Sequence, residues 1–152
     1  MYVSEILERS SRLAERSAAL YRRLAEQFGH DSERRELCHE LAFVEETQAK
    51  VLREELASFQ ERDELGDFLP EFAERMQQAE QHLANLEQRV SHIRGLDEAT
   101  SLLVALQQTN LEGLYDDLVV QGDPSFRIFV ERLEAALADY PRAQILRRRR
   151  KG

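Results

Sequence analysis

Apolar side chains recur every three to four residues along most of the chain, and glycine and proline fall between the runs. This is the period of helices with one buried face. In the first run Ile6, Leu13, Ser17, Leu20/Tyr21, Leu24 and Phe28 share a stripe. It predicts a helix from about Ser4, its N-cap, to Phe28, with Gly29 just beyond the end. Asp31 or Ser32 then opens a second helix to about Glu61, with Leu37, Leu41, Val44, Gln48, Val51/Leu52, Leu56 and Phe59 inward. The stretch RDELGDFLP breaks the pattern at Gly66 and Pro70. From Pro70 to about Arg94 the chain is polar but still helix-like, with a thin stripe of Phe72, Met76, Leu83, Leu86 and Val90 that Gly95 ends. Asp97 caps a further long helix to about Gln121, whose inward positions are Leu103, Leu106, Leu111, Leu114/Tyr115 and Leu118. Gly122-Asp123-Pro124 reads as stop, cap and first-turn proline of a last helix reaching about Tyr140. Residues 142–152 are expected to fray or form a short, loosely held helix.

The residues between these breaks are mainly Leu, Ala, Glu, Arg and Gln, all good helix formers, and strand-like alternation is absent. The expected fold is all-α: a four-helix bundle of two helical hairpins joined by a long, partly helical crossover, Pro70–Arg94. The sequence leaves open whether that crossover packs on its own bundle or reaches a neighbour. One domain, residues 1–146, is expected, followed by a basic tail, residues 147–152.

The two halves resemble one another. LAERSAALYRRLAEQF aligns with LVALQQTNLEGLYDDLVVQ when Tyr21 is set on Tyr115, and FVEETQAKVL aligns with FVERLEAAL when Glu45 is set on Glu131. The offsets, 94 and 86, make the second hairpin loop eight residues shorter. A hairpin repeated about a pseudo-twofold axis produces this pattern; chance likeness between amphipathic helices is the other reading.

Charge and composition then narrow the function. The chain has 21 basic and 29 acidic residues. Five of the basic ones are Arg147 to Lys151, so residues 1–146 hold 16 against 29, net −13. So acidic a body is a poor nucleic-acid surface. The basic tail suits an anionic partner or lipid surface, or serves as a solubilising end. A single cysteine, Cys38, excludes an internal disulfide and any multi-cysteine metal cluster. No apolar run approaches the length of a membrane span, and the start MYVSEILERSS lacks a secretory apolar region, so a cytoplasmic location is expected.

Several polar residues fall on the apolar stripes. On the second helix Leu41, Glu45, Gln48 and Leu52 share a face; on the third, Val104, Gln108, Leu111 and Tyr115; on the fourth, Glu131 and Glu134 lie one turn apart. A buried carboxylate or amide costs several kcal/mol unless it is paired or bound to a metal.

With its Leu-Ala…Leu-Tyr-x-x-Leu-Ala run (LAERSAALYRRLAEQF), its Leu-Ala-x-x-Glu run (LAFVEETQAKVL) and their echoes, the chain resembles the rubrerythrin-like branch of the ferritin-like superfamily. The resemblance spans nearly the whole chain as a pattern of small, aromatic and acidic residues. It implies a bundle core in which a glutamate seven residues before each tyrosine, with Glu-x-x-His on the second and fourth helices, holds two iron or manganese ions. Here the position seven before Tyr21 is Ala14, with Glu15 one residue off, and seven before Tyr115 is Gln108. The Glu-x-x-His positions read Glu45-Glu-Thr-Gln48 and Glu131-Arg-Leu-Glu134. None of His30, His39, His82 and His92 stands at a ligand position.

The expectation is therefore a non-catalytic ferritin-like protein that has lost most of its metal ligands, with no cofactor and no catalytic residue. It would act through homo-oligomerisation, as a dimer, or through a protein partner. The extra apolar residues Val119, Val120, Ile128, Phe129 and Val130 would supply a second face. The alternative is an iron- or manganese-carboxylate protein, handling iron or reducing peroxide, with Glu15, Glu45, Glu131 and Glu134 as its atypical ligands. Tyr21 and Tyr115 are expected to pack, and Cys38 to be a small core residue rather than half of a Cys38–His39 pair, because neighbours on a helix diverge.

Overall fold

The structure, a computed structural model, describes residues 1–107 together with Glu131 and Ala135. Four helices lie within residues 1–107: α1 (Val3–Phe28), α2 (Ser32–Glu61), α3 (Phe72–Val90) and α4 (Leu96–Gln107). Strands are absent among the described residues; an isolated bridge pairs Tyr2 with Phe68. Glu131 and Ala135, one turn apart, are helical and exposed. The rest of the expected final helix, its Gly122-Asp123-Pro124 start, the residues after Gln107 on the preceding helix and the second half of the repeat lie outside the described residues.

The first hairpin follows the sequence closely. Gly29 adopts a left-handed φ of 48°, which a residue with a side chain rarely takes. Asp31 then caps α2: its carboxylate accepts the Arg34 N–H (3.2 Å) and the Arg34 guanidinium (2.6 Å). The helices run antiparallel, as two ion pairs record. Arg22 meets Glu46, and seven residues back along α1 Glu15 meets Arg53, seven residues on along α2. Between them the apolar stripes close on each other. Leu13, Tyr21, Leu24 and Phe28 of α1 and Cys38, Ala42 and Leu52 of α2 are all nearly or wholly buried.

The polar segment after Pro70 packs along its own bundle. Arg9 pairs with Glu80 and Arg16 with Glu87, the partners seven residues apart on both helices, and the Arg23 guanidinium reaches the Ser91 hydroxyl (3.1 Å). Partners that advance together along both helices make α3 parallel to α1. Its thin stripe is the reason it stays: Phe72, Met76 and Leu83 are 0% exposed. Burial of this kind contributes about 1.5–3 kcal/mol per side chain. The crossover thus climbs the full bundle and hands the chain to α4, which runs back down. His82, two turns before the end of α3, lies with Nε2 3.2 Å from the carbonyl oxygen of Ala105, two to three turns into α4. Ala99, Leu102, Leu103 and Leu106 turn inward.

Three boundaries differ from expectation; one is that α3 ends at Val90, capped by Ser91, rather than near Arg94. α1 starts at Val3 because the N–H groups of Val3 and Ser4, which a Ser4 cap would have left free, donate to the carbonyls of Asp67 (3.1 Å) and Leu65 (2.9 Å). α4 starts at Leu96, so Asp97 lies in its first turn rather than capping it; the Ala99 N–H donates to the Gly95 carbonyl, and Glu98 accepts the Arg94 N–H (2.9 Å). No described helix is long and apolar enough to cross a membrane.

Candidate functional site

The sequence directs attention to the middle of the α1–α2 hairpin, where a carboxylate-lined pocket is the alternative expectation. On α1 the inward line is Ser10, Leu13, Ala14, Ser17 and Tyr21, all buried, with Ala14 at 0% exposure. Counting back along both helices from the Gly29 turn puts Gln48, 2% exposed, within about one turn of Ala14 and Ser17. Glu45 lies on α2 one turn closer to the turn and is half-buried. The interior here is therefore built mainly of methyl, hydroxyl, amide and phenol groups, with one carboxylate oxygen, Glu45 Oε2, buried at its edge.

Glu15 is elsewhere. Successive residues on a helix are rotated by about 100°, so burying Ala14 carries Glu15 off the inward line, onto the outer side of the hairpin, where it pairs with the Arg53 guanidinium. Glu131 is exposed as well. Of the four carboxylates in the alternative ligand set, Glu15 and Glu131 are at the surface, Glu45 is half-buried, and Glu134 lies outside the described residues, as does Gln108. Among the described residues no three His, Cys, Asp or Glu side chains converge to hold an ion.

These residues do not fit the di-metal centre that the resemblance implies. Two divalent ions need several anionic oxygens at one depth. The position that should supply one on α1 holds a methyl group, and the position that should supply an imidazole on α2 holds the neutral amide of Gln48. Ser10 adds a polar group the sequence did not flag: its Oγ is wholly buried and has no hydrogen-bond partner among the described residues.

Cys38 and His39 diverge as helical neighbours must. Cys38 is wholly buried, and that burial pushes its thiol up to about 12, while His39 is exposed. A thiol so held has little thiolate at neutral pH and is a poor nucleophile. Tyr21 is 1% exposed in the core cluster.

Two features escaped the sequence reading. His82 carries no motif, yet its ring ties α3 to α4 through the Ala105 carbonyl. The stretch RDELGDFLP reads only as a break, but its Leu65 and Phe68 stand exposed, Phe68 against the ring of Tyr2. The signal was there: three large apolar residues, Leu65, Phe68 and Leu69, in a turn that is mostly acidic otherwise. Elsewhere, an open polar cleft lies between the end of α3 and the start of α4, lined by Arg89, His92 and Glu98 among others.

Neither a family model, a curated protein sequence nor a solved structure matches the chain.

Proposed function

We propose that the protein is a non-catalytic, ferritin-like bundle that has exchanged a metal centre for a packed, partly polar interior and that works by association, with a second copy of itself or with another protein. The observation that carries this reading is the pairing of Glu15 with Arg53 beside a wholly buried Ala14. The one glutamate near the expected α1 ligand position is engaged at the surface, and its neighbour inside has no donor. Phe43 on α2 and Val104 on α4, 53% and 47% exposed, add apolar side chains on helix faces that a partner helix would cover. Val104 was expected inward with Gln108, and its exposure frees that edge of α4 for contact.

Light scattering coupled to size exclusion tests the association. The reading expects a dimer or larger species whose mass falls towards the monomer in Phe43→Ser and Val104→Ser variants. A clean monomer at high concentration, with no partner retained from cells of origin, would overturn it. A metal-using protein with an atypical ligand set would have to be built around Glu45, and a metal content abolished by Glu45→Ala would favour that reading instead.

A further inference from the structure

The connection between α2 and α3 is strapped across the start of α1. The Met1 amino group donates to the Leu69 carbonyl (3.2 Å) and the Leu69 N–H returns a bond to the Met1 carbonyl (2.7 Å). The bonds from Val3 and Ser4 to Asp67 and Leu65 continue the same ladder. Gly66, at φ +76°, lies so close that a Cβ there would come within 2.6 Å of Val3 Cβ. With its backbone held this way, the strap packs Leu69 on the core and presents Leu65 and Phe68 outward. Leu65 is 56% exposed and Phe68 59%, and Phe68 packs its ring against Tyr2, centroids 5.1 Å apart.

This apolar patch sits in an acidic frame. Within residues 61–75 there are six carboxylates, Glu61, Asp63, Glu64, Asp67, Glu71 and Glu74, all exposed, against two guanidiniums. Both guanidiniums are engaged: Arg62 bonds to Glu64 and lies over Phe59, and Arg75 lies over Phe72. A surface of this kind suits an occupant that is apolar at one end and strongly cationic at the other.

The chain carries such a segment in Ile145-Leu146-Arg147-Arg148-Arg149-Arg150-Lys151. We propose that this segment docks on the strap of its own chain. Docked in this way, Ile145 and Leu146 would meet the exposed Leu65 and Phe68, and the basic run would meet Glu64, Asp67 and Glu71. Reach is no obstacle. α4 runs antiparallel to α3, so the chain leaves Gln107 heading for the end of the bundle where the strap lies. The 37 residues from 108 to 144 would span about 55 Å even as one continuous helix, more than the length of α1, about 39 Å. Guanidiniums also bind aromatic faces, which Tyr2 and Phe68 provide. The proposal does not depend on the ferritin-like reading, since it uses only the strap and the charge pattern.

Zero-length carbodiimide cross-linking of the full chain tests it, because Lys50 and Lys151 are the two lysines of the sequence and Lys50 serves as an internal control. The expected result is Lys151 joined to carboxylates of residues 61–74 within one chain, with no mixed-isotope products from an equal mixture of labelled and unlabelled protein. These links should fade at about 1 M salt, where charges are screened beyond about 3 Å. A Leu65→Ser/Phe68→Ser variant, altered only at exposed positions, should keep its helical circular dichroism and its Lys50 links. Its Lys151 links should fall about tenfold, which corresponds to about 1.4 kcal/mol of lost apolar burial. Links spread over the whole acidic body, no Lys151 links, links unchanged in the variant, or mixed-isotope products marking a second copy as the occupant would each overturn the proposal.

Discussion

Glu15 and Arg53 face each other on the outer side of the first hairpin, while Ala14, the residue before Glu15, is sealed inside it. A rotation of about 100° separates the two positions, and it decides what the interior can do. Because the pair is about half exposed, Glu15→Ala is expected to cost less than about 1 kcal/mol in urea unfolding. Ala14→Glu is expected to cost about 3 kcal/mol or more, since it places a carboxylate among buried groups with no cation beside it. If the metal-site expectation held instead, added ferrous or manganous ion would restore the stability of the Ala14→Glu protein.

Ser10 offers the opposite change. Its hydroxyl is buried with no partner among the described residues, so it carries a desolvation cost without a compensating bond. Ser10→Ala is expected to raise the unfolding free energy by about 1 kcal/mol, visible as a higher urea midpoint at unchanged slope.

Gly66 holds the strap against α1. Its left-handed φ and the 2.6 Å approach to Val3 leave no room for a methyl group. Gly66→Ala is expected to destabilise by about 2 kcal/mol or more and to speed amide exchange at Val3, Ser4 and Leu69, the donors that tie the strap to the start of the chain. Equal exchange in both proteins would show that the strap is held by something else.

Cys38 gives the alkaline limb of stability. Burial raises its thiol from an ordinary 9.0 to about 12 in the folded state. Below pH 9 the thiol is protonated in both states and contributes no pH dependence. Above pH 9 the unfolded chain loses this proton first, so stability falls as pH rises towards 12, by up to about 1.4 kcal/mol per pH unit. Urea midpoints from pH 7 to pH 10 should show this decline, and a Cys38→Ala variant should show less of it. Native thiol labelling at pH 8 should be far slower than labelling in urea.

The helices were legible in the chain because their stripes satisfy two constraints at once, period and punctuation. Phe72, Met76, Leu83, Leu86 and Val90 marked α3 as helix-like despite its polar composition, and each is buried. Its position was not legible, because it is fixed by long-range pairs, Arg9–Glu80 and Arg16–Glu87, between residues that are ordinary surface charges in the sequence. The start of α1 was misplaced at Ser4 for a similar reason: its first N–H groups are satisfied by carbonyls more than sixty residues away. At the candidate site, Ala14 and Gln48 at the positions where the resemblance implies metal ligands could be read directly. Which way Glu15 points follows from helical geometry, but its partner Arg53 required the antiparallel register.

The central claim is that the hairpin interior lacks the anionic donors to retain a metal pair. Metal analysis of the full chain, purified without chelators from cells grown in iron- and manganese-supplemented medium, tests this most directly. The account expects iron and manganese well below one ion per chain, unchanged by Glu45→Ala. Near-stoichiometric metal that is lost on Glu45→Ala would contradict it.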